Sequence, residues 1–223
     1  MREGTKTKTA SGNSSAPQSI VYVVDDDVAL RDALSSLFRS VGLHVELFGS
    51  APEFLAKKRT DSPSCLVLDI RLPGVSGLDF QAQLAKTDIA MPIIFMTGHG
   101  DVPMSVRAMK AGAIDFLSKP FRDQDMLDAV FSALETARKQ LEAKRNVANL
   151  IAQYQSLTPR EKEVMAYVTK GLMNKQIAGE LQLSEITVKI HRGQVMRKMG
   201  VRSVADLVRA AEKLGVEAKS PQS

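Results

Sequence analysis

Disulfide and zinc chemistry are the first things this sequence excludes. It holds a single cysteine, Cys65, and three scattered histidines, His44, His99 and His191, so it has no internal disulfide and no zinc-ligand spacing. Cysteine this scarce fits a reducing, cytoplasmic setting. Long apolar runs are missing too. None approaches the roughly 20 residues of a membrane-spanning helix, and the polar residues 1–19 contain no apolar segment like that of a signal peptide. The expectation is a soluble protein with no membrane partner.

What is present is an ordinary globular composition, 44% apolar and 25% charged, over 223 residues, a length that suits two small domains. The net charge of +5 is unevenly spread: residues 20–122 carry 11 Lys/Arg against 12 Asp/Glu, whereas residues 156–217 carry 11 against 7. The C-terminal third is the basic domain. Nucleic acid is its natural partner, and a merely solvated face is the bland alternative. Residues 1–19, rich in Ser, Thr, Gly and Lys, cannot bury enough surface to offset ordering entropy. They are expected to form a disordered tail, and residues 218–223 a second, shorter tail.

The stretch around which the chain is organised is Cys65-Leu66-Val67-Leu68-Asp69-Ile70-Arg71-Leu72-Pro73-Gly74. An uninterrupted apolar run ending in a carboxylate and a Pro-Gly turn predicts a buried strand that delivers Asp69 to its exposed end. Residues 20–24 form a similar run, ending in Asp25-Asp26-Asp27; residues 44–48 are weaker and more polar, residues 92–97 end in Thr97, and residues 113–117 lead into Ser118-Lys119-Pro120. Amphipathic helices are predicted between them, one starting at Ser50 as N-cap. Continuous apolar strands alternating with such helices predict an α/β domain, a five-stranded parallel sheet covered on both faces. Ligands of such sheets sit outside the carboxyl ends of the strands. Here those ends gather Asp25, Asp26, Asp69, Thr97 and Lys119.

Each of these residues alone has a mundane reading as cap, turn residue or solvated cation. Together they form an oxygen-only acidic cluster that repels itself unless a cation is present. Oxygen ligands select a hard ion, Mg²⁺ first. An ion, a hydroxyl and an ammonium around a carboxylate make a receptor for a phosphoryl group, with Asp69 as nucleophile.

Val23-Val24-Asp25-Asp26-Asp27, Leu68-Asp69-Ile70-Arg71-Leu72-Pro73-Gly74, Met96-Thr97-Gly98 and Ser118-Lys119-Pro120 resemble the motifs of the receiver domain of two-component response regulators. The resemblance covers residues 20–122 and implies a doubly wound, flavodoxin-like fold. It implies that Asp69 accepts phosphate from a sensor histidine kinase. Mg²⁺ would then lie on Asp26, Asp69 and the backbone carbonyl of Arg71, with Asp25 in the outer shell. Thr97 and Lys119 would contact the phosphoryl group, Phe116 would be the switch aromatic, and the Lys119-Pro120 bond would be cis. His99 is read as a loop residue in preference to one that tunes phosphoryl lifetime.

Residues 122–157 contain neither glycine nor proline and carry apolar residues at helical spacing, so the last receiver helix is expected to continue through 123–155 as a helical linker. Arg138 and Lys144 interrupt any coiled-coil seam. Thr158, Pro159 and Glu161 then spell a capping box. Helices are predicted to about 170, over 174–181, from the Ser184 cap to 199, and over 203–214. This all-α, four-helix arrangement contains a helix-turn-helix. At 100° per residue the third helix buries Val188, Val195 and Met199 and turns Lys189, Ile190, Gly193 and Arg197 outward, with His191 at the edge as a packing or backbone-bonding residue. Lys189 can donate to guanine or phosphate, and Ile190 can meet a thymine methyl.

Leu157-Thr158-Pro159-Arg160-Glu161, Leu172-Met173-Asn174-Lys175-Gln176-Ile177-Ala178 and Thr187-Val188-Lys189-Ile190-His191-Arg192 resemble the LuxR/FixJ helix-turn-helix output domain over residues 156–217. Thr97-Gly98-His99-Gly100-Asp101-Val102-Pro103 and Arg107-Ala108-Met109-Lys110-Ala111-Gly112 place the chain nearest the FixJ-type subgroup. Arg192 and Lys175 join Lys189, Ile190, Gly193 and Arg197 as expected DNA contacts. The resemblance further implies homodimerisation on phosphorylation, through the helix before Gly112, the strand at 114–117 and the following helix. The fourth output helix would pair the DNA-binding domains, with promoter DNA and RNA polymerase as partners. Two other readings compete with this transcription factor, which is not itself an enzyme. An aspartyl-phosphate phosphatase is opposed by Arg71, which stands where a second catalytic Asp would be needed. A phosphorelay intermediate leaves the basic helix-turn-helix unexplained.

Overall fold

Apolar strands with no polar face have to be covered twice, and the computed structural model, which describes residues 18–87, 89, 91–98 and 102–216, shows how. The expectations for residues 1–17, for residues 218–223 and for His99 lie outside the described residues. The chain divides into two compact units, Met1–Leu141 and Glu142–Ser223.

The first unit is built from β1 (Ile20–Val24), α1 (Val28–Ser40), β2 (His44–Phe48), α2 (Ala51–Ala56), β3 (Ser64–Asp69), β4 (Arg71–Leu72), β5 (Val75–Ser76), α3 (Gly77–Leu84), β6 (Ile93–Thr97), α4 (Val102–Lys110), β7 (Asp115–Ser118) and the start of α5 (Asp123–Gln155). Five strands form one parallel sheet in the order β2-β1-β3-β6-β7. Alternate residues feed opposite cores. Tyr22, Leu66, Leu68 and Phe95 pack with Phe54, Phe80 and Ala108 of α2, α3 and α4, while Val21, Val23, Val67 and Ile94 pack with Phe38, Met126 and Val130 of α1 and α5. Tyr22, Phe48, Phe54 and Phe80 meet ring to ring, with centroids 5.4 to 6.1 Å apart.

The polar character of β2 has a simple cause, because it is an edge strand with one side open. Strand β7 starts at Asp115, two residues later than its apolar pattern predicts. The Ala113 N–H is taken by the Ala108 carbonyl at the end of α4, where Gly112 adopts φ 93°. Strands β4 and β5 form a two-stranded antiparallel hairpin around Pro73-Gly74 that the sequence pattern did not announce.

Helix α5 runs unbroken for 33 residues, and the boundary between the two units falls inside it. The second unit packs Leu150 and Tyr154 of α5 with α6 (Pro159–Thr169), α7 (Asn174–Leu181), α8 (Glu185–Lys198) and α9 (Val204–Leu214) around Val164, Val168, Ile177, Val188, Val195 and Leu207. Among the described residues no helix is long and apolar enough to cross a membrane.

Candidate functional site

Strand order brings the sequence-distant polar residues together. Because β1, β3 and β6 are adjacent and parallel, their carboxyl ends place Asp25, Asp69 and Thr97 side by side. Asp25 follows β1 and is completely buried; Asp69 closes β3 with its side chain 10% exposed, and Asp26 is exposed. Ligand oxygens of Asp25, Asp26 and Asp69 lie within 4.8 Å of one another. Lys119, which follows β7, donates to Asp25 Oδ2 at 2.8 Å and to Asp69 Oδ2 at 3.1 Å. Its backbone N–H donates to the carbonyl of Thr97, itself buried, and Lys119-Pro120 is cis. Asp27, the third acid of the run, is drawn off as the N-cap of α1, accepting the N–H groups of Ala29 and Leu30. Arg71 is exposed, and its N–H donates to Asp69 Oδ1 at 3.2 Å. Phe116 is half-buried beside the Phe54 and Phe80 core.

The electrostatics of the cluster suit a cation. Three carboxylates against one ammonium leave a formal excess of two negative charges. Burial pushes the Asp25 carboxyl above its usual range, and Asp69 adds to the rise; the Lys119 ammonium and the Asp27 N–H oppose it without cancelling it. Lys119 is held above the ordinary lysine value by its two carboxylate partners although its own burial acts the other way. Oxygen-only donors with this charge deficit fit a hard divalent ion. The only cysteine plays no part: burial raises the Cys65 thiol to about 12, so it is inert core.

One residue of this pocket went unread in the sequence. Gly77 opens α3 directly against the strand that carries Asp69, and its N–H donates to the Ile70 carbonyl at 2.9 Å. A Cβ there would stand 2.7 Å from the Asp69 carbonyl oxygen and 2.9 Å from Ile70 Cα. Its signal was present only as a glycine behind the Ser76 cap, indistinguishable from a turn glycine. Gly77→Ala is expected to cost about 2 kcal/mol, because the atoms that must move are backbone, and to slow phosphoryl uptake by shifting Asp69. Thermal unfolding with phosphodonor labelling checks both, and wild-type values in each would remove Gly77 from the site.

The second unit presents a helix-turn-helix. Gln182 closes α7 at φ 55°, Leu183 N–H returns to the Ala178 carbonyl, and Ser184 caps α8 by accepting the Thr187 N–H. Val188, Val195 and Met199 are buried, while Lys189, Ile190, Gly193 and Arg197 are exposed along one side of α8, and Lys175 of α7 is exposed too. Arg192 stands apart from that stripe. It is half-buried and donates to Asn174 Oδ1 at 3.0 Å, tying α8 to the start of α7. His191 is half-buried, and its Nδ1 has no hydrogen-bond partner among the described residues, so it packs and does not bond the backbone through that atom. The capping box at Thr158 is complete, and Glu161 also accepts from Lys198 Nζ at 2.6 Å, a contact the sequence did not announce.

Comparison with known proteins agrees with both halves. Residues 21–131 match the response regulator receiver domain, and residues 155–211 match the bacterial regulatory proteins of the luxR family. "Nodulation protein W" of Bradyrhizobium diazoefficiens is 61% identical over 201 residues, covering 90% of this chain and 88% of that protein. "Transcriptional regulatory protein FixJ" of the same organism is 41% identical, covering 88% of this chain and 96% of its own. The solved structure of the response regulator StyR is similar with a TM-score of 0.80 at 48% identity, covering 88% of this chain and 99% of that one. A parallel-sheet domain with an acidic rim, followed by a helix-turn-helix and matched along its length by such relatives, makes this chain a two-component response regulator with a receiver domain and a LuxR-type DNA-binding domain, of the FixJ-like kind.

Proposed function

We propose that Asp69 is the phosphoacceptor and that its phosphorylation by a sensor histidine kinase switches promoter binding by the basic domain. The observation that carries this reading is the Lys119 ammonium joined to both Asp25 and Asp69 within a cluster of metal-competent carboxylates. An Asp69 carboxylate oxygen attacks phosphorus while the bond to the donor histidine nitrogen breaks, leaving an acyl phosphate. Asp26, Asp69 and the Arg71 backbone carbonyl would hold Mg²⁺, with Asp25 in support, and the ion would supply positive charge for the phosphoryl oxygens. Lys119 leaves Asp69 Oδ2 for a phosphoryl oxygen, Thr97 donates its hydroxyl to another, and Phe116 repacks as Thr97 turns inward.

The receiver core is assigned to residues 20–122, its last helix and linker to 123–155 and the DNA-binding domain to 156–217. Exposed Val106 and Met109 on α4 and Phe131 on α5 support dimerisation through that face of the phosphorylated receiver. RNA polymerase is the further partner of the promoter-bound dimer, and the cytoplasm is its compartment.

Acetyl phosphate with Mg²⁺ is expected to raise the affinity of the full chain for DNA fragments that it selects from a random duplex library, and chelation is expected to reverse the gain. Affinity indifferent to the phosphodonor sinks the switch. Lys189→Ala is expected to weaken that binding roughly tenfold, the worth of one good base or phosphate contact, while phosphoryl uptake stays at wild-type level. Unchanged DNA affinity removes Lys189 from the contact surface.

A further inference from the structure

The most exposed large apolar residue among those described is Ile186, 74% exposed in the first turn of α8, and Ile190, one turn later, is 55% exposed. A single exposed isoleucine is ordinary. This one does no local work: Ser184 already supplies the cap, the hydrophobic cluster of the second unit excludes Ile186, and a β-branched residue brings no helix propensity. Its direction is what matters. At about 100° per residue, Ile186 points directly away from buried Val195 and falls within about 60° of Ile190, Gly193, Arg197 and Lys189. It therefore lies at the centre of the exposed stripe, in the turn of a second helix that comes nearest base edges when such a helix enters the major groove.

We infer that Ile186 is a specificity-determining residue that, with Ile190, reads the 5-methyl group of thymine in each half-site. The inference rests on the DNA-binding reading above. Charge argues for DNA over a protein partner, because exposed Lys189 and Arg197 flank the two isoleucines on α8 and Lys175 is exposed on the preceding helix. The one acid of α8, Glu185, lies about 100° round the helix from Ile186. The apolar group that base edges offer in the major groove is the thymine methyl, and covering it with an isoleucine removes both from water. Gly193, with nothing within 4 Å of its would-be Cβ, leaves room for the close approach that such a contact needs.

The test uses the purified full chain with acetyl phosphate and Mg²⁺. Wild type and Ile186→Ala each select from a random duplex library, and the preferred wild-type site is then synthesised with single thymines replaced by deoxyuridine, which lacks only the methyl. Wild type is expected to lose roughly fivefold in affinity at one such position, about the worth of a methyl-sized apolar contact. Ile186→Ala should bind the parent site correspondingly more weakly and lose nothing further from the same replacement. Because the side chain is exposed, helix content and thermal unfolding of Ile186→Ala should match wild type. Identical site selection by the two proteins, or a deoxyuridine effect that persists in Ile186→Ala, overturns the inference alone. If wild type selects no sequence, the DNA-binding reading falls and this inference falls with it.

Discussion

Asp69→Asn is expected to take labelling by a histidine kinase, or by acetyl phosphate and Mg²⁺, to background. The amide is not a nucleophile, and no other carboxylate shares the position of Asp69, whose two oxygens already meet Lys119 Nζ and the Arg71 N–H. Asp25 is buried against Lys119 and Asp27, and Asp26 is turned to solvent. Loss of labelling through unfolding would give a different signature. Removing one of three clustered carboxylates relieves repulsion, so the melting temperature of Asp69→Asn without Mg²⁺ should equal or exceed that of wild type. Chelating Mg²⁺ should reproduce the labelling defect in wild type while leaving Asp69 intact. Wild-type labelling of Asp69→Asn sinks the phosphoacceptor assignment, and a fall in melting temperature would redirect it to a structural role.

The largest stability effect is expected at the other end of the chain. Glu161 is 1% exposed and does two jobs with one carboxylate, accepting the Thr158 N–H at 2.8 Å and the Lys198 ammonium at 2.6 Å. The first closes the N-terminus of α6; the second holds the last turn of α8 against it. Glu161→Ala leaves the Thr158 N–H and a half-buried cation without the buried carboxylate that joins them. The expected loss is about 3 kcal/mol, the lower end for breaking a buried pair because Lys198 can reach water. DNA affinity should fall with it while labelling of Asp69 stays intact. Calorimetry of the full chain reads this as a lower transition for the helical unit, and an unchanged transition denies the pair its role.

The same carboxylate sets a pH dependence. Burial raises the Glu161 pKa, but the hydrogen bond from Lys198, the Thr158 N–H and the Lys198 charge together outweigh it, so the net shift is below the ordinary 4.5. A group depressed in the folded state contributes stability above its unfolded value and loses it as pH falls through the folded one. Acidification below about 4.5 should therefore cost wild type stability that Glu161→Gln never had.

Much of the acidic cluster was legible because its residues stand at the ends of strands. Val24 precedes Asp25, Leu68 precedes Asp69, Met96 precedes Thr97, and a parallel sheet aligns such ends. The caps Ser50, Thr158 and Ser184 were legible for a similar reason, since a cap and its N–H partner lie within three residues. Gly77 and Lys198 were not. Their signals are a carbonyl eight residues upstream across a turn and a carboxylate 37 residues away, and neither distance has a period. Gln81, whose side chain donates to the Ala111 carbonyl 30 residues on, escaped for the same reason.

The sequence by itself determined what depends on neighbours within a turn or two: the two-residue alternation of the strands, the helical stripes, the caps and the family they spell. Tertiary structure alone decided the pairings. Lys119 is 94 residues from Asp25 and 50 from Asp69, and only the order β2-β1-β3-β6-β7 brings its ammonium to both. Hydrogen bonds and backbone sterics set local form over a few ångströms, whereas attraction between charges and exclusion between backbones act on whatever the completed sheet and helix packing place in reach.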